Sequence, residues 1–557
     1  MMNIARRFDV AAAAYPGKPA VWAPGAGHGD GIVYRAQTFA ESAERCNRYA
    51  NGLRVAGLRP GEKVLLMVRP GFDLVPIVFA LFKLGAVPVM IDPGMGWRSL
   101  LRAVRQVRPQ AFIGVPAAHL LRLFSPRSFA GIRLKITLGG LGVPGWALSL
   151  DRLAAWEQPA RAEPVEPEPV EPGDTAAILF TTGSTGPAKG VVYTHRIFDA
   201  QVRILQGVYG LTPDDIDLPC FPLFGLFSTA MGVTAVIPKM DFTRPAAVDP
   251  VNIVAAARRF NVTYSFGSPA LWEPVGEWCA RHGVWLPALR RIFMAGAPVP
   301  AHLHKLLKDT VLGENGETHS PYGATEALPV ADIRGSELLR EATARSAAGG
   351  GICVGRPVPG VSVRILPITD KAVPLYPVHR EMPTEAIGEI AVAGEVVTRE
   401  YDGLPEATRL AKMRSATGRV WHRMGDVGYI DRKGRLWFCG RKAHRVRTRQ
   451  EVLFTIPCES VFRRHPDVKR AALVGLGPAE GETQVPVMII EPRPGRFPVF
   501  RGRREAFIKE LLELGAANRL TAGIRHILFR RSFPVDIRHN AKIRREDLAV
   551  WAAGRAS

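Results

Sequence analysis

Residues 178–190 read Ile-Leu-Phe-Thr-Thr-Gly-Ser-Thr-Gly-Pro-Ala-Lys-Gly, so an apolar strand leads directly into a loop of hydroxyls, glycines and one lysine. The glycines permit positive φ angles and a close approach of the backbone to a ligand. The hydroxyls donate hydrogen bonds, and Lys189 adds a mobile positive charge. This combination predicts a loop that holds phosphate groups. Its polar and glycine positions are Thr181, Thr182, Gly183, Ser184, Thr185, Gly186, Lys189 and Gly190.

The spacing of this loop differs from that of the Walker A motif, G-x-x-x-x-G-K-[S/T]. Here Gly183 and Gly186 are three residues apart, and a glycine follows Lys189. The loop therefore predicts a bound nucleotide in a protein that is not a P-loop NTPase. The alternative is an ordinary surface loop rich in Gly, Ser and Thr. The order of strand, hydroxyl cluster, lysine and the apolar pair Val191 and Val192 favours the phosphate loop.

Length and composition predict a large globular protein. The chain has 557 residues, of which 47% are apolar, so it can bury several cores, and two to four structural units are expected. Its net charge is +22, and from Arg441 onward 24 Lys and Arg face 12 Asp and Glu. A basic lobe of this kind favours polyphosphate, nucleic acid or an acidic membrane surface. The alternative is a codon bias toward Arg, and the absence of an RNA-binding signature argues against nucleic acid.

The cysteines and the apolar segments argue against a structural metal site and against a membrane-spanning protein. The six cysteines are far apart, with no C-x-x-C pair and no histidines at zinc spacing, which predicts reduced thiols without a structural metal. The most apolar segment, 74–91, is interrupted by Pro76, Lys83, Gly85 and Pro88, which predicts a helix, a turn and a buried strand rather than a membrane span. The N-terminus is a poor secretory signal, so a cytoplasmic location is expected.

Strands and helices alternate through the first 150 residues, which predicts parallel α/β layers. The stretches that carry this alternation are the apolar strands 63–68, 86–91 and 111–114 and the helix-like segments 39–55 and 99–106. A Pro/Glu spacer then occupies residues 159–174. It is too polar and too rich in proline to pack, so an exposed, extended crossing is expected there.

Beyond the spacer, α/β alternation continues to about residue 350. Short strands at 361–366 and 387–392 then predict a smaller β unit, and strands at 471–474 and 485–490 predict a compact α+β unit. The expected fold class is therefore α/β, with a large N-terminal domain of layered α/β subdomains plus a small β unit, followed by a small α+β C-terminal domain. The expected boundary divides the chain into residues 1–440 and 441–557.

Four further segments have glycine or proline beside polar or aromatic residues, as ligand-binding loops do, and a lysine near the C-terminus is a fifth candidate. The segments are Met294-Ala-Gly-Ala-Pro-Val299, Pro321-Tyr-Gly-Ala-Thr-Glu326, Arg423-Met-Gly-Asp-Val-Gly428 and Gly440-Arg441, and the lysine is Lys542. Each alone is a weak signal. In this order, and together with the loop at 178–190, they resemble the adenylate-forming superfamily of acyl-CoA synthetases, peptide-synthetase adenylation domains and luciferases. The resemblance covers nearly the whole chain.

This resemblance implies ATP as a substrate and Mg²⁺ as its cofactor. The loop from Thr181 to Gly190 would wrap the triphosphate, Gly296, Ala297 and Pro298 would border the adenine, and the Tyr322 ring would stack on it. Glu326, beside Thr325, would hold Mg²⁺, for which carboxylate oxygen is a suitable ligand. Asp426 would accept hydrogen bonds from both ribose hydroxyls. Arg441 would fix the ribose or a phosphate, and Lys542 would bridge the substrate carboxylate and the α-phosphate.

The implied catalytic residues are Lys542, Glu326 and Thr185, and Glu326 is the implied metal ligand. The implied nucleotide-binding residues are Thr181, Thr182, Gly183, Ser184, Thr185, Gly186, Lys189, Gly296, Ala297, Pro298, Tyr322, Gly323, Thr325, Asp426 and Arg441. Plainer interpretations stay open. Asp426 could cap a turn, Lys542 could be a solvated lysine beside Arg544 and Arg545, and His195 is expected to pack at the start of a helix rather than to bind phosphate.

The chain departs from the superfamily pattern where acyl transfer to a thiol would take place. The usual hinge acid of the G-R-x-D motif is Ala443, and the segment 446–452 lacks the usual glycine. The histidine common after Pro-Leu-Phe is replaced by Gly225, which is expected to leave space where an imidazole would gate an acyl pocket. The apolar run 221–237 would line such a pocket or form ordinary core. These departures resemble one subfamily, the bacterial olefin β-lactone synthetases of long-chain hydrocarbon biosynthesis.

The subfamily resemblance implies adenylation of a long-chain 2-alkyl-3-hydroxyalkanoic acid with release of pyrophosphate. The 3-hydroxyl would then attack the acyl carbonyl and expel AMP, giving a β-lactone. A tethered nucleophile makes this closure reasonable, because a high effective molarity replaces a second substrate. The implied partners are this hydrophobic acid and neighbouring pathway enzymes, namely a thiolase and, as possible assembly partners, a reductase and a β-lactone decarboxylase.

Two alternatives stay open at this point. One is a fatty acyl-CoA or acyl-AMP ligase on the same fold. The other is an inactive adenylation fold that binds an anionic membrane surface or nucleic acid through its basic C-terminal lobe, although no nucleic-acid partner is expected. A serine hydrolase is disfavoured because the chain has no G-x-S-x-G elbow.

Overall fold

The computed structural model describes residues 3–139, 147–156, 163–180, 187–477, 483–535 and 543–555. Within them, the strands are β1 (Pro19–Pro24), β2 (Tyr34–Thr38), β3 (Lys63–Met67), β4 (Val87–Met90), β5 (Ala111–Gly114), β6 (Leu134–Thr137), β7 (Leu148–Ser149), β8 (Thr175–Phe180), β9 (Gly190–Thr194), β10 (Ile216–Pro219), β11 (Thr234–Val236), β12 (Tyr264–Gly267), β13 (Arg291–Met294), β14 (Glu317–His319), β15 (Tyr322–Ala324), β16 (Ala327–Asp332), β17 (Ile352–Pro357), β18 (Ser362–Leu366), β19 (Gly388–Ala393), β20 (Lys412–Arg414), β21 (Val420–Ile430), β22 (Leu436–Arg441), β23 (Val446–Arg447), β24 (Val452–Leu453), β25 (Val468–Leu476), β26 (Val485–Pro492) and β27 (His526–Phe529).

The helices in the same part of the chain are α1 (Ala5–Ala14), α2 (Phe39–Val55), α3 (Leu74–Lys83), α4 (Trp97–Val107), α5 (Pro116–His119), α6 (Leu121–Phe124), α7 (Leu150–Trp156), α8 (His195–Tyr209), α9 (Phe224–Ala230), α10 (Pro250–Arg259), α11 (Pro269–His282), α12 (Ala301–Thr310), α13 (Gly335–Glu337), α14 (Thr343–Arg345), α15 (Pro405–Ala411), α16 (Thr455–Phe462), α17 (Arg501–Ala516) and α18 (Arg545–Ala553). None of these helices is both long and apolar enough to cross a membrane.

Two mostly parallel sheets form the layered part of the molecule. The first has the strand order β7-β6-β5-β3-β4-β8-β9, and the second has the order β14-β13-β12-β10-β11-β1-β2. Only the edge pairs β8–β9 and β1–β2 are antiparallel. The alternation of apolar strands with helices predicts this arrangement, because parallel neighbours need a crossover helix.

Helix α2 shows how local sequence sets one of these helices. Thr38 accepts a hydrogen bond from the Glu41 backbone N–H at 3.2 Å, and the Glu41 carboxylate accepts one from the Thr38 backbone N–H at 2.7 Å. This capping box fixes the helix start. The helix then buries Cys46, Tyr49 and Leu53 on one face. The predicted helix at 39–55 is therefore confirmed.

The Pro/Glu spacer is extended, but the prediction that it is exposed throughout is wrong. Val165 is buried, its N–H donates to Asn47 Oδ1 at 3.3 Å, and its carbonyl accepts from Lys83 Nζ at 3.1 Å. Glu168 N–H donates to the Lys83 carbonyl at 2.7 Å. The described part of the spacer, 163–174, thus packs on α2 and α3 because their polar side chains satisfy its backbone groups.

A third, antiparallel sheet of order β15-β16-β17-β22-β21-β19-β18, with β20 beside β21, forms the predicted smaller β unit. The C-terminal part is a three-stranded sheet, β25-β26-β27, with α16 and α17 on one face and α18 on the other. The α/β fold class, with a large N-terminal domain and a small C-terminal one, is confirmed. The boundary between Gly440 and Arg441 stays a prediction, and both residues lie in β22.

Candidate active site

The two ends of the phosphate loop are held together by an antiparallel strand pair. β8 runs into the loop and β9 leaves it, with Phe180 opposite Gly190. On the outer side, the Asp402 N–H donates to the Gly190 carbonyl at 2.8 Å. Lys189 Nζ lies 4.9 Å from the centre of the Tyr401 ring, within the range of a cation–π interaction. The loop is therefore closed at its base next to Tyr401.

Several of the predicted residues lie outside the described residues. They are Thr181, Thr182, Gly183, Ser184, Thr185, Gly186 and Lys542. The residues just before and just after the segment that carries Lys542 pair with each other, since Val535 and Ile543 form an antiparallel bridge. After it, Arg545 donates to both carboxylate oxygens of the buried Glu459, at 2.8 Å each. This ion pair fixes the start of α18 on α16.

Glu326 occupies the turn between β15 and β16 and is held by side chains from a distant segment. Tyr401 Oη donates to Glu326 Oε1 at 2.7 Å. Burial, and then the charge of Glu326, raise the pKa of Tyr401, so the phenol keeps its proton and is the donor in this hydrogen bond. Thr398 donates twice to the Glu326 carbonyl, from N at 2.9 Å and from Oγ1 at 3.1 Å. The carboxylate is thus fixed in position beside the base of the phosphate loop.

Asp426 lies on β21 directly opposite Arg441 on β22. Arg441 Nη1 is 2.9 Å from Asp426 Oδ1, and Tyr322 Oη donates to Asp426 Oδ2 at 2.6 Å. The Asp426 charge is the main reason that the pKa of Arg441 is raised. Asp426 is buried, so this is a partly desolvated triad rather than a surface turn cap. An ionised carboxylate accepts hydrogen bonds at both oxygens, which is the chemistry that recognition of vicinal hydroxyls requires.

The small-residue turn at 294–299 follows β13, as predicted. Gly296 has φ +90°, a conformation that favours glycine. β13 is parallel to β14, so their carboxyl ends share one sheet edge, and the chain leaves that edge toward Tyr322. The turn residues Gly296, Ala297 and Pro298 and the Tyr322 segment therefore begin at the same edge. Gly296 and Pro298 are exposed there.

Gly323 and Thr325, the sequence neighbours of Tyr322 and Glu326, have structural roles in the hairpin. A Cβ on Gly323 would lie 2.6 Å from the Ala327 carbonyl oxygen, so only glycine fits this tight hairpin. The Thr325 carbonyl accepts a hydrogen bond from Tyr193 Oη at 2.6 Å. His195, by contrast, is buried at the start of α8, where its Nδ1 accepts from the Ile4 N–H at 3.2 Å. Burial lowers the pKa of His195 to about 4, which fits the predicted packing role.

The sequence argument missed four side chains at this site, namely Thr398, Tyr401, Lys412 and His422. Lys412 is buried and donates through Nζ to the Thr398 carbonyl at 2.6 Å and to Thr398 Oγ1 at 3.1 Å. Burial lowers the pKa of Lys412 to about 7. His422 lies opposite Lys412 on β21, and burial followed by the Lys412 charge lowers its pKa well below the usual range. The one sequence signal for this cluster is the position of Lys412 between the apolar residues Ala411 and Met413.

Gly225 lies in α9 at a position that has room for a side-chain carbon. A Cβ there would meet Pro219 Cγ at 3.6 Å and Ala235 Cβ at 3.8 Å, which are ordinary contact distances. Nearby, the rings of Phe224 and Phe266 stack with their centres 3.7 Å apart. The role of Gly225 in an acyl pocket therefore stays a prediction.

Comparison with known proteins places this site among nucleotide-dependent enzymes. The family model described as "AMP-binding enzyme" matches residues 8–402. The chain is 43% identical to the olefin beta-lactone synthetase of Stenotrophomonas maltophilia strain K279a, covering 99% of this chain and 98% of that protein. It is 42% identical to the olefin beta-lactone synthetase of Xanthomonas campestris pv. campestris, with coverage of 99% and 98%.

Among solved structures, the amide bond synthetase McbA from Marinactinospora thermotolerans matches with a TM-score of 0.76. The two chains are 22% identical, and the match covers 99% of each. This likeness supports the assignment of the fold along the full length of the chain.

We expect the stability contributed by Lys412 to depend on pH. The pKa of about 7 in the folded state lies below the ordinary value of 10.5, so between these values the unfolded chain binds one proton more than the folded one. The free energy of unfolding should then rise with pH by up to about 1.4 kcal/mol per unit. Lys412→Met removes this dependence, so the wild type should gain stability relative to the variant from about pH 7 to about pH 9.

Urea unfolding at several pH values measures this difference, with the exposed Lys371→Met as the matched control. Parallel curves for wild type and Lys412→Met would contradict the expectation.

Proposed function

The chain belongs to the family of AMP-binding enzymes, and we propose that it activates a carboxylic acid with ATP and then closes the product into a ring. In the first step a carboxylate oxygen attacks the α-phosphorus, the bond to the β-phosphate breaks, and pyrophosphate leaves. In the second step the 3-hydroxyl oxygen of the same molecule attacks the acyl carbonyl, the bond to AMP breaks, and the hydroxyl proton is released. The products are a β-lactone, AMP and pyrophosphate.

The observation that carries this proposal is the identity along the whole chain to two proteins named olefin beta-lactone synthetase. The proposed substrate is a long-chain 2-alkyl-3-hydroxyalkanoic acid in olefin biosynthesis. Ring closure within one molecule needs no second substrate, because the tethered hydroxyl has a high effective molarity. Association with a reductase and a β-lactone decarboxylase, and a cytoplasmic location, stay predictions.

For the nucleotide, we propose that the loop 181–190 and Lys189 hold the triphosphate and that Asp426 holds the ribose hydroxyls. The triad of Tyr322, Asp426 and Arg441 supports this role, because it fixes a buried carboxylate in one orientation beside the Tyr322 ring. The Tyr322 ring, joined to Asp426 through its hydroxyl, would stack on adenine beside the turn of Gly296, Ala297 and Pro298.

The donor set near the loop fits Mg²⁺. Oε1 of the Glu326 carboxylate accepts from Tyr401, and Oε2 would be the oxygen presented to a hard cation. The described residues contain no cluster of three or more His, Cys, Asp or Glu side chains, so Glu326 would share the ion with phosphate oxygens and water. When bound, Mg²⁺ would withdraw charge from the phosphates. Lys189 and Tyr401 would orient the loop and the carboxylate toward each other.

We propose that Lys542 places its ammonium between the substrate carboxylate and the α-phosphate. A cation positioned where negative charge develops stabilises the transition state. In support of this role, the Val535–Ile543 bridge and the Arg545–Glu459 pair attach the residues before and after this segment to the C-terminal sheet and α16. The C-terminal domain, proposed to begin at Arg441, would carry this group as a lid.

Incubation with ATP, Mg²⁺ and a 2-alkyl-3-hydroxy acid should give a β-lactone without coenzyme A, as measured by mass spectrometry. Lys542→Ala should lower the rate on the order of 10² to 10³, by analogy with the loss of one oxyanion donor. Lys509→Ala, at an exposed lysine on α17, is the matched control. A thioester formed only when coenzyme A is present would overturn the lactone proposal and leave family membership intact.

Glu326→Gln should raise the Mg²⁺ concentration needed for half-maximal pyrophosphate release about tenfold, because an amide is a weaker ligand for a hard cation. The exposed Glu400→Gln controls for the loss of a nearby charge. An unchanged Mg²⁺ dependence would exclude Glu326 as the ligand.

Asp426→Asn should raise the KM for ATP about tenfold or more, since hydrogen bonds to a charged acceptor contribute about 1.5–3 kcal/mol. Tyr322→Phe removes the hydroxyl contact to Asp426 but keeps the ring, so its effect on the KM should be much smaller. The ribose assignment fails if both variants retain the wild-type KM in steady-state assays.

A further inference from the structure

Residues 93–150 have a charge composition unlike the rest of the chain. They include eight Lys and Arg and not a single Asp or Glu, although the average of 51 acids in 557 residues would place about five there. The basic residues are Arg98, Arg102, Arg105, Arg108, Arg122, Arg127, Arg133 and Lys135. A general preference for Arg adds positive charge but does not remove acids from one contiguous stretch.

The fold gathers much of this charge on one surface. On α4, the spacing of Arg98, Arg102 and Arg105 puts them on a single exposed face, while Leu100, Val104 and other apolar residues pack on the first sheet. The exposed face lines an open groove together with Trp97. Among the described residues, neither Arg98 nor Arg102 has an ion-pair partner. Their charge is therefore presented to the surroundings.

A second segment, 116–129, lies beside α4 on the same face of the sheet. Arg105 Nε donates to Ser128 Oγ at 3.0 Å, and Phe129 packs in the same core as the buried side of α4. Strands β4 and β5 are both parallel to β3, so α4 and this second segment start from the same edge of the sheet. Arg127 in the second segment is also exposed.

Large apolar side chains are exposed along these same two segments. The exposed fractions are 47% for Trp97, 47% for Leu120, 62% for Leu123 and 74% for Phe124. Single exposed apolar residues are ordinary, whereas a group of them bordered by arginines marks an interaction surface. An aromatic and aliphatic group of this kind gains free energy when it enters an apolar phase.

We propose that this surface, defined by Trp97, Leu120, Leu123, Phe124, Arg98, Arg102 and Arg127 and called the α4–α6 face, docks peripherally on an anionic lipid bilayer. The apolar side chains would enter the boundary between headgroups and acyl chains, and the arginines would pair with lipid phosphates. The absence of acids over 93–150 makes the face complementary to an anionic surface. Leu120 and Leu123 favour a bilayer over nucleic acid, because phosphate-backbone binding has no use for exposed aliphatic groups.

Docking at this place would bring the enzyme to its proposed substrate. β4 is parallel to β8, so α4 and the phosphate loop both leave the same edge of the first sheet. A long-chain acid partitions into bilayers because each CH₂ group that leaves water adds to the favourable free energy of transfer. The docking itself does not depend on the identity of the substrate, and it is measured without any assay of activity.

Co-sedimentation of the full chain with vesicles of phosphatidylcholine, with and without phosphatidylglycerol, tests the proposal. Binding should require the anionic lipid and weaken with salt. The variant Leu123→Ser/Phe124→Ser and the variant Arg98→Gln/Arg102→Gln should each weaken it about tenfold or more. The matched controls Phe500→Ser and Arg503→Gln/Arg504→Gln change equally exposed side chains in the basic C-terminal domain and should bind as the wild type does.

A fluorescent label gives a second measurement that does not depend on bulk sedimentation. All six native cysteines are buried, so a polarity-sensitive dye reacts selectively at Phe124→Cys or, as the control, at the exposed Val550→Cys. Anionic vesicles should shift the emission of the dye to the blue at position 124 and not at position 550. The proposal is overturned by absence of binding to anionic vesicles, by equal losses in the control variants, or by a blue shift with duplex DNA but not with vesicles.

Discussion

The site depends on the buried contact between Asp426 and Arg441, which joins two adjacent strands at the point where the chain leaves the third sheet. Tyr322 donates to the same carboxylate from β15, at the far side of that sheet. The Asp426 side chain is 5% exposed and that of Arg441 is 35% exposed, so loss of Arg441 would leave a buried carboxylate with one partner fewer. This triad therefore couples the register of β21 and β22 to the orientation of the Tyr322 ring.

A second group of charges, around Glu326, meets the base of the phosphate loop. Tyr401 contacts both Glu326 and the phosphate loop, since its hydroxyl donates to Glu326 and its ring faces Lys189. Lys412 donates to the Thr398 carbonyl, and the Thr398 backbone N–H and hydroxyl in turn donate to the Glu326 carbonyl. Among the described residues, Tyr401 donates to the carboxylate of Glu326 and Thr398 to its backbone carbonyl, and both are neutral donors. An arrangement of this kind keeps the negative charge available to a metal ion.

Local sequence signals predicted much of the fold and less of the site. The capping box at Thr38 and the apolar periodicity of 39–55 define α2 within the segment itself, and the punctuation by Gly and Pro predicts the turns at 294–299 and 321–326. Burial of Val165 depends on Asn47 and Lys83, which are remote in sequence, so composition alone predicted an exposed spacer. The roles of Tyr401 and Lys412 were not predicted either, because they depend on tertiary contacts with Glu326 and Thr398.

The segment after Arg441 bears on the second half-reaction. Ala443 cannot form the ion pair of a hinge acid, yet its neighbours do form ion pairs. Lys442 pairs with Glu389 on β19 at 2.9 Å, and Arg447 pairs at 2.6 Å with Asp370 in the connection between β18 and β19. The segment without the usual glycine forms the hairpin of β23 and β24. A thiol entering from outside needs a domain rotation and a passage beside the acyl group, whereas a tethered hydroxyl needs neither. The chain after β22 is therefore held by ion pairs of Lys442 and Arg447, although the acid of the G-R-x-D motif is missing.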